Sequence, residues 1–132
     1  MTVKGEAMRL LLAEDEAELS KALCTILKHN NYSVDAALNG REALDIMEKN
    51  GFDAVLLDIR MPVMDGIETI EHIRAAEAGN GSYTPVIAGT TYTMKKNKDE
   101  IIAHGFDGYL SKPFTEEDLM LEIYKNIDKK RS

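Results

Sequence analysis

Four short apolar runs in this chain each lead directly into polar or charged residues with reactive side chains. The runs and the residues after them are Leu10–Ala13 before Glu14 and Asp15, Ala54–Leu57 before Asp58, Val86–Gly89 before Thr90 and Thr91, and Tyr109–Ser111 before Lys112. Short apolar runs that alternate with helical segments are typical of buried parallel strands, and ligands bind at the carboxyl ends of such strands. We therefore expect these carboxylate, hydroxyl and ammonium groups to meet at one edge of a sheet.

The apolar periodicity predicts five strand–helix units in a regular β-then-α order. The predicted strands are 9–13, 33–37, 53–57, 85–89 and 108–111, and the predicted helices are 16–30, 40–50, 65–78, 93–104 and 116–129. This alternation predicts an α/β fold with a single doubly wound parallel sheet, covered by helices on both faces. We expect residues 8–130 to form one domain, and residues 1–7 to be a leader or a remnant of cloning.

Several helix ends carry recognisable signals. Asn39 with Glu42, and Thr115 with Asp118, have the spacing of an N-cap residue and its partner in the first turn. Left-handed C-caps are predicted at three glycines: Gly51, Gly79 and Gly105. The fourth helix has few apolar residues to anchor it, so we expect it to be held weakly. Its expected anchors are Met94, Ile101 and Ile102.

The composition narrows the class of protein. The chain has 132 residues and a formal net charge of −7, which suits one domain and argues against direct binding to nucleic acid. Its single cysteine, Cys24, excludes an internal disulfide and fits a reducing compartment. No apolar stretch approaches the roughly 20 residues of a membrane span. We also expect no signal peptide before the first strand. We therefore expect a cytoplasmic protein without a membrane partner.

The expected acidic cluster needs a cation or a proton. Two unit charges about 4 Å apart at an effective dielectric near 20 repel by about 4 kcal/mol. Glu14, Asp15 and Asp58 offer hard oxygen ligands with no His or Cys nearby in the sequence, which favours Mg²⁺ over zinc. Mg²⁺ is usually bound by one or two carboxylates together with a phosphate, so a metal here implies a phosphoryl ligand.

Lys112 and Thr90 supply the complementary groups for such a ligand. The Lys112 ammonium can bind one phosphate oxygen, and the Thr90 hydroxyl can donate to another. An aspartate such as Asp58, with a divalent cation on one side and a lysine on the other, is suited to attack a phosphoryl group in line.

Four runs of the sequence together resemble the receiver domain of two-component response regulators. They are Leu12–Glu16, Leu56–Gly66, Thr84–Thr91 and Tyr109–Phe114. The acidic pair, the Asp followed by Met-Pro and Asp-Gly, and the Lys-Pro-Phe sequence are highly specific in combination. The resemblance extends from Met8 to about Ile127, and implies a flavodoxin-like (β/α)5 fold with strand order 2-1-3-4-5.

The resemblance also implies a role for each residue of the site. Asp58 matches the aspartate that a histidine kinase or phosphotransfer domain phosphorylates, with Mg²⁺ required. Asp15 matches the direct metal ligand, Glu14 a ligand that usually acts through water, and Arg60 the residue whose backbone carbonyl completes the coordination. The catalytic and phosphate-binding positions are Thr90, Thr91 (through its amide) and Lys112, while the switch positions are Thr90 and Tyr109. The Lys112–Pro113 bond resembles the cis peptide of this family.

The function implied by the resemblance is that of a phosphorylation-dependent switch, which catalyses its own phosphorylation and dephosphorylation. We expect no effector domain after the last helix, so the output is expected through a downstream protein, a homodimer or a separate module. Gly89 stands where the family usually has a bulky aliphatic residue, and Thr91 is larger than the usual alanine. Two alternatives stay open: a flavin-binding electron carrier of the same fold class, and a phosphorylation-incompetent binding module or engineered receiver-like scaffold.

Overall fold

A computed structural model describes residues 8–91 and 98–131, which form five parallel strands and five helices. The strands are β1 Arg9–Ala13, β2 Ser33–Ala37, β3 Ala54–Asp58, β4 Val86–Thr91 and β5 Gly108–Lys112. The helices are α1 Ala17–His29, α2 Gly40–Lys49, α3 Gly66–Asn80, α4 Lys98–Ala103 and α5 Glu116–Arg131. The strand order is β2-β1-β3-β4-β5, so the predicted fold class and topology are confirmed.

The core consists of two apolar layers, one on each face of the sheet. One layer packs strand residues such as Leu11, Val55 and Leu57 against Ile70 and Ile73 of α3. The other layer packs the opposite face of the sheet against α1 and α5; its helix residues are Leu23, Leu27, Leu119, Ile123 and Ile127. Both faces of β3 are buried, which explains why this strand has an unbroken apolar sequence.

The two predicted capping pairs are confirmed. The Asn39 side chain accepts a hydrogen bond from the Glu42 amide at 2.9 Å. Thr115 and Asp118 bond reciprocally, each side chain accepting from the other residue's amide at 3.0 and 3.1 Å. These bonds satisfy amides that have no partner inside the helix.

Two of the three predicted glycine caps are wrong. Helix α3 continues through Gly79 to Asn80, and its left-handed cap is Gly81, with φ of 77°. Helix α2 ends at Lys49, its cap residue Asn50 is extended, and Gly51 does not have a positive φ. Gly105 does have positive φ, at 115°, as predicted.

The fourth helix differs in part from its prediction. The predicted segment 93–97 and Met94 lie outside the described residues, and the described helix α4 is Lys98–Ala103. Ile101 is fully buried as expected, whereas the prediction for Ile102 is wrong because 38% of this residue is exposed. Across 8–91 and 98–131, no helix is both long and apolar enough to cross a membrane.

Candidate functional site

Three carboxylates converge at the carboxyl edge of the sheet. Glu14 follows β1 and Asp58 is the last residue of β3, and both are buried, while Asp15 is exposed. One oxygen from each of the three lies within 4.8 Å of the others. The predicted strand 53–57 stops one residue short, because Asp58 continues the ladder opposite Gly89 of β4. On its other side β3 pairs with β1, where Ala13 lies opposite Leu57, so Asp58 lies beside the end of β1.

Lys112 lies between two of these carboxylates. Its Nζ is 2.7 Å from Glu14 Oε1 and 3.4 Å from Asp58 Oδ2. The predicted strand 108–111 also extends by one residue, because Lys112 pairs with Thr91 in the ladder. The ammonium therefore offsets part of the negative charge that the cluster concentrates in a poorly solvated place.

The pKa values of Asp58 and Lys112 are both raised, but for different reasons. Burial and the nearby Glu14 charge raise the pKa of Asp58 from 3.8 to about 6, although Lys112 and the Arg60 backbone amide lower it. Burial alone would lower the pKa of Lys112, but its hydrogen bond to Glu14 and the charges of Asp58 and Glu14 together raise it. At neutral pH the amine is therefore cationic and Asp58 is largely ionised, which is the state a nucleophilic carboxylate needs.

The remaining predicted site residues are spread over β3–β5. Thr90 is buried in β4 and pairs with Ser111, next to Lys112. The backbone of Thr91 pairs with Lys112, while the Thr91 side chain lies outside the described part of the chain. Tyr109 is half-buried and packs against the core layer on the α3 side of the sheet. The predicted cis bond is present between Lys112 and Pro113.

Arg60 contributes through its backbone. Its amide donates to the Asp58 carboxylate, and its side chain points into solvent. The sequence predicted a metal-binding role for its carbonyl, but did not identify the amide contact. An open cleft of about 760 Å³ begins at this point. It is lined by Asp15, Ile59, Arg60, Met61, Pro62, Asp65 and Ile67.

The loop after Asp58 holds features that sequence reasoning missed. The Met64 amide donates to the Pro62 carbonyl at 2.7 Å, which closes a three-residue turn around Val63, with φ of 67°. A β-branched residue in this conformation costs about 1–3 kcal/mol. Gly66 packs so closely that a Cβ would lie 2.5 Å from the Asp58 carbonyl oxygen. The sequence feature that could have predicted this contact is the Asp65-Gly66 pair, because glycine has no Cβ and lets two backbone segments approach closely.

Gly89 leaves ordinary space beside the cluster. A Cβ built on it would lie 3.6 Å from Asp58 Cα and 3.9 Å from Lys112 Cε, both normal contact distances. An alanine at this position is therefore compatible with the observed backbone.

Comparison with known proteins agrees with this geometry. A family model of the response regulator receiver domain matches residues 10–124. Probable transcriptional regulator ycf29 of Porphyra purpurea is 39% identical over 118 residues, covering 89% of this chain and 55% of that protein. The chain spans about half or less of the length of several curated relatives that it matches.

Two solved structures extend the comparison. The receiver domain of sensor histidine kinase PA1611 from Pseudomonas aeruginosa, with magnesium coordinated in its active site cleft, is 29% identical with a TM-score of 0.83, covering 93% of this chain and 99% of that chain. The receiver domain of Ssk1 from Saccharomyces cerevisiae, co-crystallised with the histidine phosphotransfer protein Ypd1, is 26% identical with a TM-score of 0.83, covering 91% and 88%. Because the family match extends over most of the residues, this chain belongs to the response regulator receiver domain family.

Proposed function

We propose that Asp58 accepts a phosphoryl group from a phosphohistidine and that the domain, residues 8–130, then switches conformation. The convergence of Glu14, Asp15, Asp58 and Lys112 at one edge of the sheet is the observation that carries this proposal. The donor is a histidine kinase or a histidine phosphotransfer domain, in line with family membership and with the complex of Ssk1 and Ypd1. A binding-only module is not favoured, since the cluster retains both the acids and the lysine.

The oxygen ligands of the acidic cluster suit Mg²⁺. Carboxylate oxygens are the ligands that this ion prefers, and those of Glu14, Asp15 and Asp58 lie close enough together to share it. We assign these three side chains and the Arg60 carbonyl as its ligands, and the magnesium-bound receiver domain of PA1611 supports that assignment. When bound, the cation supplies positive charge against the phosphoryl oxygens and relieves repulsion among the carboxylates.

The transfer itself is carried out by this chain's own residues. A carboxylate oxygen of Asp58 attacks phosphorus in line with the phosphorus–nitrogen bond of the donor. The new phosphorus–oxygen bond forms as the bond to nitrogen breaks, and its electron pair stays on the imidazole. The Lys112 ammonium, the Thr90 hydroxyl and the Thr91 amide hold the transferred oxygens. Hydrolysis of the resulting acyl phosphate at the same site resets the domain.

The Glu14–Lys112 ion pair offers a physical basis for switching. A phosphoryl group on Asp58 competes with Glu14 for the lysine, so the contacts of Lys112 and Thr90 differ between the two states. That difference in free energy is available to move Tyr109 and α4. The recipient of the signal is a downstream protein, in the cytoplasm, with homodimerisation as one form of output.

Acetyl phosphate tests the phosphoacceptor role without any protein partner. Incubation with acetyl phosphate and Mg²⁺ is expected to add the mass of one phosphoryl group to the parent chain. Asp58→Asn removes the nucleophile, so this variant is expected to gain none. Asp45→Asn, an exposed acid on α2, is the matched control and should behave as the parent. An unmodified parent chain in intact-mass spectra would support the binding-only alternative.

A second prediction concerns the metal ligands. At a Mg²⁺ concentration about 100 times the parent's Kd, binding is expected to stabilise the parent by about 2.7 kcal/mol. Asp15→Asn removes a ligand charge, so most of that stabilisation should disappear. Urea denaturation with and without Mg²⁺ measures the difference, with Asp45→Asn again as control. If Asp15→Asn and the parent respond equally to Mg²⁺, the ligand assignment is wrong.

A further inference from the structure

Another cavity, of about 860 Å³, lies between α2 and α3 and the loops before β3 and β4, away from the acidic cluster. Where α2 begins, the two helices are in close contact, since a Cβ on Gly40 would lie 2.0 Å from Thr69 Oγ1. Further along α3 the lining includes Ala76, whose side chain is a single methyl group, so the space between the helices stays open. We refer to this space as the α2–α3 cavity. Its volume is within the range of roughly 300–1,000 Å³ that is typical of small-molecule sites.

The inner lining of the cavity is apolar. Two half-buried residues of α2 and two buried residues, one before β3 and one on α3, contribute to it: Leu44, Met47, Phe52 and Ile73. All four belong to the core layer on the α3 side of the sheet or pack against it. A ligand with an apolar body would cover the part of this lining that is still in contact with water, which favours binding.

The wall formed by the loop before β4 is held in place by the Arg74 side chain and its partners. Tyr83 lines the cavity and is 49% exposed; its hydroxyl donates to Asp107, and the Arg74 guanidinium lies 4.2 Å from its ring centre. The next residue, Thr84, donates its amide to Glu77 at 2.7 Å and accepts from Arg74 at 2.9 Å. This wall therefore needs little ordering when a ligand packs against the exposed part of the ring.

Two carboxylates border the cavity without an ion-pair partner in residues 8–91 or 98–131. Asp45 and Glu48 are exposed and lie three residues apart on one face of α2. The third acid of the lining, Glu77, is buried, and its charge is offset by Arg74 at 2.6 Å. The rim of the cavity therefore has two acids available for a ligand.

The basic and titratable groups of the lining lie apart from the end that holds Tyr83. Arg41 is at the start of α2, one turn before Asp45, and His72 is near the middle of α3. Glu48 is near the end of α2, at the same edge of the sheet as the loop that carries Tyr83. An aromatic wall with a carboxylate at the same end, in a chain of net charge −7, favours a cationic ligand over an anionic one.

We propose that the α2–α3 cavity binds a small organic cation, an amine or guanidine carried on an apolar body. The body packs against Phe52, Met47 and the Tyr83 ring, and the charge pairs with Glu48 and Asp45. This site is separate from Asp58, so binding does not require phosphorylation and does not rest on the proposed phosphoacceptor function.

Tryptamine and indole-3-propionate test the proposal, because they share an indole ring but carry opposite charges. Amide chemical shifts of the isotope-labelled 132-residue chain are followed as each compound is added. Tryptamine is expected to shift amides that border the α2–α3 cavity with a Kd of about 1 mM, a usual affinity for a ligand of its size. Indole-3-propionate is expected to bind about five-fold more weakly or worse, since it lacks the cation.

Variants locate the binding site. Ala76→Leu fills the cavity with a residue that helices accept well, so it should weaken tryptamine binding about ten-fold or more. Ala75→Leu is the matched control, because Ala75 is also exposed on α3 but is not one of the described residues that line the cavity. Glu48→Gln changes only an exposed charge and should weaken tryptamine about three-fold while leaving indole-3-propionate unaffected.

Several results would overturn the inference. Equal binding of the two indoles would remove the role of the carboxylates, and tighter binding of indole-3-propionate would assign the cavity to anions through Arg41. Tryptamine that shifts no amides, or only amides away from the cavity, would show that this space does not bind it. Equal weakening by Ala76→Leu and Ala75→Leu, at an unchanged melting temperature, would place the ligand elsewhere on α3.

Discussion

Replacing Arg74 with methionine is expected to lower the free energy of unfolding by about 3–5 kcal/mol. Arg74 lies on α3 and its side chain is 19% exposed. Its guanidinium pairs with Glu77 at 2.6 Å and Asp107 at 2.7 Å, and donates to the carbonyls of Thr84 and Gly105 at 2.9 and 3.0 Å. Methionine retains much of the side-chain volume but leaves two poorly solvated carboxylates without their cation.

Urea denaturation at neutral pH measures this effect. Arg41→Met on α2 is the control, because Arg41 is exposed and a surface change of this kind usually shifts stability by about 0.5 kcal/mol or less. A loss below about 1 kcal/mol for Arg74→Met would mean that the two carboxylates find other partners or water.

The Arg74 network stabilises the edge of the sheet opposite the acidic cluster. Asp107 accepts from the Val86 amide at 2.8 Å and from the Tyr83 hydroxyl, so it joins the beginnings of β4 and β5. The Arg74 guanidinium also lies 4.2 Å from the centre of the Tyr83 ring. Burial, together with the hydrogen bond to Asp107, raises the pKa of Tyr83 to about 12. The Arg74 network and the acidic cluster thus place ion pairs at opposite ends of the strands.

Asp58→Asn is expected to stabilise the metal-free protein at neutral pH by up to about 3 kcal/mol. Folding raises the pKa of Asp58 from 3.8 to about 6, so between these values the folded state binds more protons than the unfolded state. The resulting penalty is absent below about pH 4, grows as the pH rises to about 6, and is constant above that. Asparagine carries no charge and avoids it.

The measurement is a series of denaturation curves without Mg²⁺ from pH 4 to 7.5. The advantage of Asp58→Asn should be largest above pH 6 and should shrink toward pH 4, and Asp45→Asn should show no such trend. Added Mg²⁺ should reduce the advantage, because the cation favours the ionised parent. A variant less stable than the parent at pH 7.5 would show that the contact of Asp58 with Lys112 outweighs its burial and its repulsion from Glu14.

Much of the fold could be predicted because the information was local. The unbroken apolar run of β3 and the capping pair Thr115–Asp118 indicated their elements directly. The helix-end predictions failed where more than one nearby glycine could serve as the C-cap. Gly79 and Gly81 are both plausible helix ends, and only packing and hydrogen bonding decide that α3 passes the first and stops at the second.

The candidate site was likewise predictable from the sequence only in part. The residue types and their places at strand ends were sufficient to predict the convergence of Glu14, Asp15, Asp58 and Lys112. Their pairing was not predictable: Lys112 bonds Glu14 more closely than Asp58, and the Arg60 amide donates to the Asp58 carboxylate. Such distances depend on strand register and side-chain conformation, which arise from contacts between residues far apart in the chain.

By itself, the order of apolar runs and polar strand ends determined the parallel α/β fold, its family resemblance and the chemical groups of the site, because these follow from periodicity and residue type. The tertiary structure alone decided that the Asp58 pKa lies near 6, that Arg74 supports the opposite edge, and that Val63 stands exposed on a strained turn. Burial, charge separation and backbone strain are properties of the packed chain, since each is set by neighbours that the linear sequence does not identify.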